Sequence, residues 1–527
     1  MLIDLRQVPD EGPISAETII VGSGAVGLTL AVELARAGRD VIVLEAGDRG
    51  VQAESQRFFD AARWREWRLP GLHLGRYRAL GGTTNFWGGQ LLPFDPIVFE
   101  ARPWVAESAW PITREALDPY YERGYALLGM AQHLPDEMVW ARLKVAPPPL
   151  GDELESVFSA WVPHSNLTRL FRSDIEAGAN LRVFLNAPVV ALDLDGDGER
   201  IAGVVVRTVG GAARRFSAQR VILANGTIEI ARLMKLTLAD GRSAPWSANH
   251  WLGKGFIDHL DCHAGHVTPL DKRRFHDLFE NAYLDGIKYS PKLKLSARAQ
   301  KERKLLGVAA FFLFDSRLQE HLENAKVLVR SLFRGRLQGQ TVPNPRELVS
   351  ALRVALPMIV RYLRYHRVYN PADQGAQLRL MSEQLPHPES ALHLDRKCDE
   401  LGMPIVEIDW RIDGREIETL ATVSERVVEF LERNQLARVR LDPALRDRDP
   451  SLLKRLNDYY HHMGMARMAK RAADGVVDAD LRVFGTRNLY VAGAAVYPTS
   501  GFANPTFTAI ALGLRLADMI ATGRASA

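Results

Sequence analysis

The chain predicts an α/β fold, in which a Rossmann-like nucleotide-binding domain assembled from separate stretches carries an α+β domain built on an antiparallel sheet. Three observations predict it. Glu17-TIIVGSGAVGLTLAVELARAGRDVIVLEAG reads as strand, glycine turn, helix and strand, the opening of a parallel dinucleotide-binding sheet. From Leu181 to Met234 β-rich runs alternate with Asp-Gly and Gly-Gly turns and end in a strand that leads into a helix. Near the C-terminus, Asn488-LYVAG is one more short strand, with an apolar helix after it.

At 527 residues the chain is too long for one compact core, so two or more domains are expected. A hydrophobic content of 47% and a charged content of 25% belong to a globular protein. Lys plus Arg number 67 against 63 Asp plus Glu, a balance that gives no reason to expect nucleic acid as a partner. The two cysteines, Cys262 and Cys398, stand far apart without CxxC or Cys/His spacing, and read as structural thiols in a reducing compartment. The first residues show neither a basic start with an apolar run nor a twin arginine, which predicts a cytoplasmic protein. No run reaches the roughly eighteen apolar residues of a membrane span, so any membrane contact would be peripheral.

Taken in order, Gly22, Gly24 and Gly27 have the GxGxxG spacing. The first permits the tight turn, the second lets backbone approach a pyrophosphate, and the third lets helix pack on strand. Glu45 follows about twenty residues on, where an acid binds ribose hydroxyls. A dinucleotide is the consequence. Arg78-ALGGTTNFWGGQ is a second glycine-rich loop, whose glycines 81, 82, 88 and 89 leave room for a flat ring system while Thr83, Thr84 and Asn85 offer donors to its polar edge.

Residues 95 to 180 turn rich in Pro and Trp and then helical, with a threonine cap expected ahead of DPYYERGYALLG. Trp104 and Trp110 either stack on a sugar or pack in the core. Met381 to Ile412 predicts two alternating strands joined by a polar turn, and Gln384 there either bonds a substrate hydroxyl or pairs with a neighbouring strand. Lys288 to Lys304 and Lys326 to Arg367 are basic. Within 345–370, apolar residues alternate with arginines and tyrosines along a helix interrupted at Pro357, which suits an insertion closing the second domain, a dimer contact, or a surface laid on an anionic membrane or acidic partner. The expected division gives 1–95, 180–265 and 446–527 to the cofactor domain, and 96–179 and 266–445 to the substrate domain.

Asp458-YYHHMGMARMA brings two histidines, His461 and His462. The strand ending at Gly493 and Ala494 presents small residues whose N–H groups can approach an anion, and Asn504, Pro505 and Thr506 open the last helix. A histidine and an amide would thus be carried to one cofactor face. On a strand His462 would point away from His461, into packing or a supporting hydrogen bond. Lacking a carboxylate or third ligand at suitable spacing, the pair predicts no metal.

The patterns HxxGxxRM, VVDxxLRVxGxxNLYVAG and PTSGxANPTxTxxALxLRLAD closely resemble the C-terminal signature of the glucose-methanol-choline (GMC) flavoprotein oxidoreductases, nearest to a bacterial branch of sugar dehydrogenases and pyranose-type oxidases. The resemblance implies FAD, with Arg78 to Gln90 running along the flavin, the backbone of Val189 near adenine, and Gly253-KGFIDH following the second FAD-proximal strand and helix. It also implies oxidation of CH–OH to C=O by hydride transfer to flavin N5. His461 falls on the family's catalytic base and Asn504 on its second active-site residue, with His461, His462 and Gln384 around the substrate. Where some pyranose oxidases carry a flavin-bonded histidine before tryptophan, this chain has Phe86 before Trp87, so FAD is expected to be non-covalent. The implied substrate is a secondary hydroxyl of a sugar, glycoside or sugar-like ring. Alternatives are an aryl, alicyclic or sterol-like alcohol, suggested by Val308-AAFFLF and Leu352-RVALPMIV, and a lyase with structural FAD. Oxygen, a quinone or a redox protein would take the electrons.

Overall fold

The computed structural model describes residues 1–9, 14–106, 108–236, 238–315, 360–367 and 374–524. Two large sheets organise them. The first has eight strands, in spatial order Leu2–Asp4, Leu181–Leu185, Val41–Leu44, Ile14–Val21, Ala213–Leu223, Ile201–Arg207 and Val189–Leu194, with Leu489–Val491 also pairing Ala213–Leu223. Pairing is parallel from Leu2–Asp4 through to Ala213–Leu223 and on to Leu489–Val491; the 201–207 and 189–194 strands are antiparallel. Continuous apolar runs explain this core: Ile19, Ile20, Val41, Ile42, Val43, Val221, Ile222 and Leu223 have no exposed surface, as strands covered on both faces require.

Helix α1 (Ala25–Arg36) follows the first glycine turn, α2 (Thr227–Met234) follows the 213–223 strand, and α3 (Pro505–Ala521) closes the chain. The first and last press together at Gly513, where an added Cβ would lie 3.1 Å from Val26 Cγ1.

The second sheet is antiparallel and nine-stranded, in the order Ala437–Leu441, Leu260–Pro269, Ala376–Ser382, Val308–Phe314, Ile287–Leu295, Leu154–Trp161 and Gln90–Leu91, with Ala282–Leu284 and Asn457–Asp458 attached. It therefore takes in residues 90–91, 260–265 and 457–458, which the expected division placed with the cofactor domain. The hairpin expected after Met381 forms as Ala391–Cys398 against Pro404–Asp409, but in a separate three-stranded sheet with Arg63–Trp64. Alternation identifies a strand; it does not choose the sheet.

Smaller expectations also shift. The helix of DPYYERGYAL starts at Asp118 with Leu117 at its cap position and no side-chain cap, because proline fits its first turn and needs no capping partner. Trp104 donates to the Leu305 carbonyl at 2.9 Å and buried Trp110 to Thr499 Oγ1 at 3.0 Å, so both serve packing. Cys262 is buried, Cys398 exposed, and neither is in a disulfide. The basic stretch 345–370 lies outside the described residues except for 360–367. Among the described residues no helix is long and apolar enough to cross a membrane.

Candidate functional site

The carboxyl ends of the parallel strands open on a cavity of about 670 Å³, lined where these strands end by Val21, Leu44, Ala224 and Ala492 and at its far side by His461 and Asn504. This edge is where open α/β sheets bind ligands, and the volume lies within the roughly 300–1,000 Å³ of ligand pockets.

The glycine turn divides its labour as its spacing implies. Gly22 has φ +95°, and a Cβ on it would lie 2.6 Å from Asn225 Cα; one on Gly27 would lie 2.0 Å from the Gly22 carbonyl oxygen. Gly27 is thus a packing residue and does not line the cavity. A Cβ on Gly24, Gly226 or Gly493 would meet nothing within 4 Å. These three glycines border the cavity with bare backbone, and Gly24 leads into α1 with no side chain capping its first N–H groups. Such a helix start suits an anion.

Glu45 is buried and lines the same region, accepting from Ser23 N at 3.1 Å, Ser23 Oγ at 2.6 Å and Gly47 N at 2.8 Å. Burial pushes its carboxyl up, against the pull of those bonds. Three of its roughly four acceptor positions are used, leaving capacity for one further donor such as a ribose hydroxyl. The second glycine loop leans on this turn, since a Cβ on Gly82 would come 3.1 Å from Gly24 Cα. Arg78 stacks on the Phe58 ring at 4.3 Å. Among the described residues, buried Asn225 Oδ1 and Asn504 Oδ1 have no hydrogen-bond partner, and both residues line the void. Bare glycine backbone, an uncapped helix start, a ribose-suited carboxylate and two unpaired amide oxygens fit a dinucleotide as long as FAD.

At the far end, His461 is held from three sides. Its N–H donates to both Asp258 oxygens, at 3.0 and 2.9 Å, and the N–H groups of Tyr459 and His259 donate to Asp258 Oδ1 at 3.1 and 2.7 Å. Its Nδ1 lies 2.9 Å from Nδ1 of fully buried His259, and its Nε2 lies 3.2 Å from Asn504 Nδ2. With Nε2 accepting from the amide, Nδ1 carries the proton and gives it to His259, a tautomer assigned from this network. What surface His461 exposes faces the cavity. Desolvation above all, then the neighbouring His259 and Lys292, hold its pKa well below the ordinary imidazole value. Asn504 stands at the cap position of α3 without capping it, its side chain turned instead to His461.

His462 lines the cavity too, but the strand before it ends at Asp458, so strand alternation does not set its direction. Among the described residues its Nε2 has no hydrogen-bond partner, and it lies 3.9 Å from Asp258 Oδ2. The expectation that no carboxylate stands near the pair is corrected here: Asp258, Asp458 and His462 bring ligand-type atoms within 4.8 Å of one another. Burial raises the pKa of both carboxyls, Asp458 to about 6, and repulsion between the two adds to the rise at Asp258. The pair holds a proton more readily than either acid alone.

Of the sequence-derived site residues, the structure brings Gly22, Gly24, Glu45, Arg78, Gly82, Thr83, Thr84, Val189, His461, His462, Gly493, Ala494, Asn504, Pro505 and Thr506 to the cavity wall. Thr84 spends its hydroxyl proton on the Gly81 carbonyl at 2.6 Å. Asn85 stays off the wall, its amide donating to the Leu80 and Gly82 carbonyls at 2.9 and 2.8 Å and accepting from Asn166 at 2.9 Å. Gln384 is wholly buried, accepting from Asp258 N at 3.0 Å and Trp410 Nε1 at 2.9 Å and donating to the Arg411 carbonyl at 2.7 Å. It supports Asp258 and is not among the residues that line the cavity. Sequence reasoning missed Asp258, His259 and Asn225. The first two sit in the quoted GKGFIDH stretch, but nothing in their spacing pairs them with a residue some two hundred positions later.

Comparison with known proteins agrees with this geometry. Residues 17–243 match the family model of FAD dependent oxidoreductases, and residues 386–513 that of GMC oxidoreductases. The 6'''-hydroxyparomomycin C oxidase of Streptomyces lividus is 24% identical, across 96% of this chain and 91% of that protein. A C-glycoside 3-oxidase of Microbacterium trichothecenolyticum is 33% identical over 159 residues, a match spanning 28% of its length. Among solved structures, formate oxidase shares the fold with a TM-score of 0.57 at 18% identity, over 97% of this chain and 98% of that one. Pyridoxine 4-oxidase from Mesorbium loti does so with a TM-score of 0.57 at 16% identity, over 96% and 99%. The glycine-turn stretch, 17–243, thus carries an FAD dependent oxidoreductase domain, and the stretch that holds His461 and Asn504, 386–513, a GMC oxidoreductase domain, so the chain is an FAD-dependent oxidoreductase of GMC type.

Proposed function

We propose that the protein oxidises an alcohol to its carbonyl, and that the alcohol is a secondary hydroxyl of a sugar, glycoside or sugar-like ring. The observation that carries the reading is the pair at the cavity wall: a neutral imidazole whose Nε2 lies 3.2 Å from the Asn504 amide. Oxidation of CH–OH needs a proton acceptor at oxygen and a hydride acceptor at carbon. When bound, FAD supplies the hydride acceptor.

The chain supplies the rest. A substrate hydroxyl entering between the two side chains gives its proton to His461 Nε2, while Asn504 Nδ2 donates to the oxygen as negative charge develops there. The imidazolium so formed keeps its Nδ1–H on His259, which spreads the new charge through a hydrogen bond. Gly24 with the start of α1, Glu45, Val189 and Gly493 to Ala494 would hold the dinucleotide, and Pro505 and Thr506 the ring end beside Asn504. Phe86, in place of a histidine, offers no atom for a covalent bond to it.

A sugar is favoured by the kinship to proteins named for glycoside and paromomycin-type oxidation. The apolar run 308–314 cited for an aryl or sterol-like alcohol does not line the cavity, and its Val308, Ala309 and Ala310 have no exposed surface. The companion run from Leu352 lies outside the described residues except for its last residue, Val360. His461→Ala tests the reading. The variant should keep the absorbance of bound FAD and lose anaerobic flavin reduction by a factor on the order of 10³; reduction at the unaltered rate removes this histidine from the mechanism.

A further inference from the structure

The face of the second sheet that brings Trp161 to the cavity also carries an ammonium group with no counter-charge bonded to it among the described residues. Along the 287–295 strand, Lys288, Ser290 and Lys292 share a face by the two-residue alternation of a strand, and register sets them against Trp161, Ser159 and Val157. That face is tied to the cavity. Lys288 Nζ lies 3.7 Å from the centroid of the Trp161 ring, Trp161 Nε1 donates to Ser290 Oγ at 2.7 Å, and Gln90 bonds Ser159; Trp161 and Gln90 are wall residues.

Lys292 is 5% exposed. Its Nζ lies 4.4 Å from the centroid of the Phe311 ring, which offers a π face and no counter-charge. Among the described residues no hydrogen bond or ion pair takes its ammonium. Two residues on, Lys294 shows the ordinary solution, held by Asp95 at 2.8 Å and Glu155 at 3.2 Å. Burying an ammonium without such a partner is costly. Desolvation, then Lys288, bring its pKa down to about 8, which still leaves it mostly charged at neutral pH. Its field reaches His461, where it contributes to the lowered imidazole pKa. An unmatched buried cation within electrostatic reach of the base is complementary to a ligand that brings the missing negative charge.

We propose that Lys292 determines specificity, and that the alcohol oxidised here is a sugar acid whose carboxylate is received by Lys292 while a ring or chain hydroxyl lies at His461 and Asn504. The inference rests on the alcohol-oxidising reading of the site. Carboxylate and ammonium make a charge-assisted hydrogen bond in a desolvated place, where it is strongest. An amino sugar, cationic at neutral pH, would set like charges together and be rejected.

The test uses FAD-loaded protein and two matched pairs of probes, glucuronate with glucose and gluconate with glucitol. Equilibrium binding is measured by calorimetry under anaerobic conditions on the His461→Ala holoprotein, whose flavin reduction is slowed on the order of 10³-fold, alone and combined with Lys292→Met. The expected result is at least one acid bound about tenfold or more tighter than its neutral partner, a ratio that falls to near one with Lys292→Met. Should the methionine form fail to hold FAD, Lys292→Gln is read in its place. Equal binding within both pairs, no binding of either acid, or a preference that survives the substitution overturns the proposal. Anaerobic flavin reduction by the same probes, with His461 intact, is read separately. Preferential acid binding with no reduction by any probe would sink the alcohol-oxidising reading and leave the recognition of the carboxylate standing.

Discussion

His461 is a base because of where it is buried. Desolvation and two nearby basic groups disfavour its charged form, so its pKa lies well below the ordinary value near 6.5. A base works unprotonated, so a lowered pKa moves the acid limb of activity to lower pH. The rate of flavin reduction in anaerobic stopped flow should therefore stay level from pH 8 down to about 6.5 and fall only in more acid solution. A fall already centred near 7 would contradict the burial argument. His259 makes a second prediction. Burial brings its own pKa down to about 3, so it is neutral and can accept the Nδ1–H of His461. His259→Phe leaves that N–H buried without an acceptor, an expense of about 1–3 kcal/mol, and should slow reduction roughly tenfold or more with FAD still bound. At this scale the sequence showed what a motif marks, His461 and Asn504, because chemistry constrains those residue types. Gln384 and His259 were opaque for the opposite reason. Their roles come from partners, Trp410 and His461, that only the folded chain brings near.

The glycine turn and α1 show how much an element's sequence can say. Period and spacing foretold strand, turn and helix, and foretold different duties for Gly24 and Gly27. The structure gives those duties separable consequences. At Gly24, φ is −69° and an added Cβ meets nothing, so Gly24→Ala should leave the melting temperature of the apoprotein unchanged while weakening FAD roughly tenfold or more, since the methyl enters the space the dinucleotide needs. At Gly27 the Cβ would meet the Gly22 carbonyl oxygen at 2.0 Å, so Gly27→Ala must push α1 off its strand, at about 1–3 kcal/mol, and should lower apoprotein stability as well as FAD affinity. Thermal unfolding of the apoproteins and FAD titration by fluorescence separate the two. The hairpin at 391–409 shows the limit of such reading: its alternation was legible, but its attachment to Arg63–Trp64 was not, because register across 340 positions leaves no local trace.

The reacting pair belongs to neither sheet alone. His461 follows the 457–458 strand of the second sheet by three residues, while Asn504 heads α3 behind the 489–491 strand of the first, and the two side chains meet at 3.2 Å. Cutting the sequence at 265 and 446 hid this seam, because the strands that make it begin at 260 and 457 and take their partners from far along the chain. What locks it is Asp258, just ahead of the 260–269 strand, whose carboxylate collects the N–H groups of His259, Tyr459 and His461 and whose own N–H is held by Gln384 Oε1. Gln384 is in turn fixed by Trp410 and by the Arg411 carbonyl. A relay of positions from Trp410 to His461 follows, and Gln384→Leu interrogates it without touching the wall. If this residue met substrate, its loss would weaken substrate binding. As a prop for Asp258, its loss should instead leave the apparent substrate dissociation constant nearly as it was and lower the limiting rate of flavin reduction about tenfold, because a small misplacement of a base costs rate before it costs affinity. Asp258→Leu, which strands three N–H groups at once, should act in the same direction and more strongly, with FAD retained at the other end of the cavity. Stopped-flow reduction across substrate concentrations yields both constants, and a raised dissociation constant at an unaltered limiting rate in Gln384→Leu would return that glutamine to the substrate and dissolve the relay.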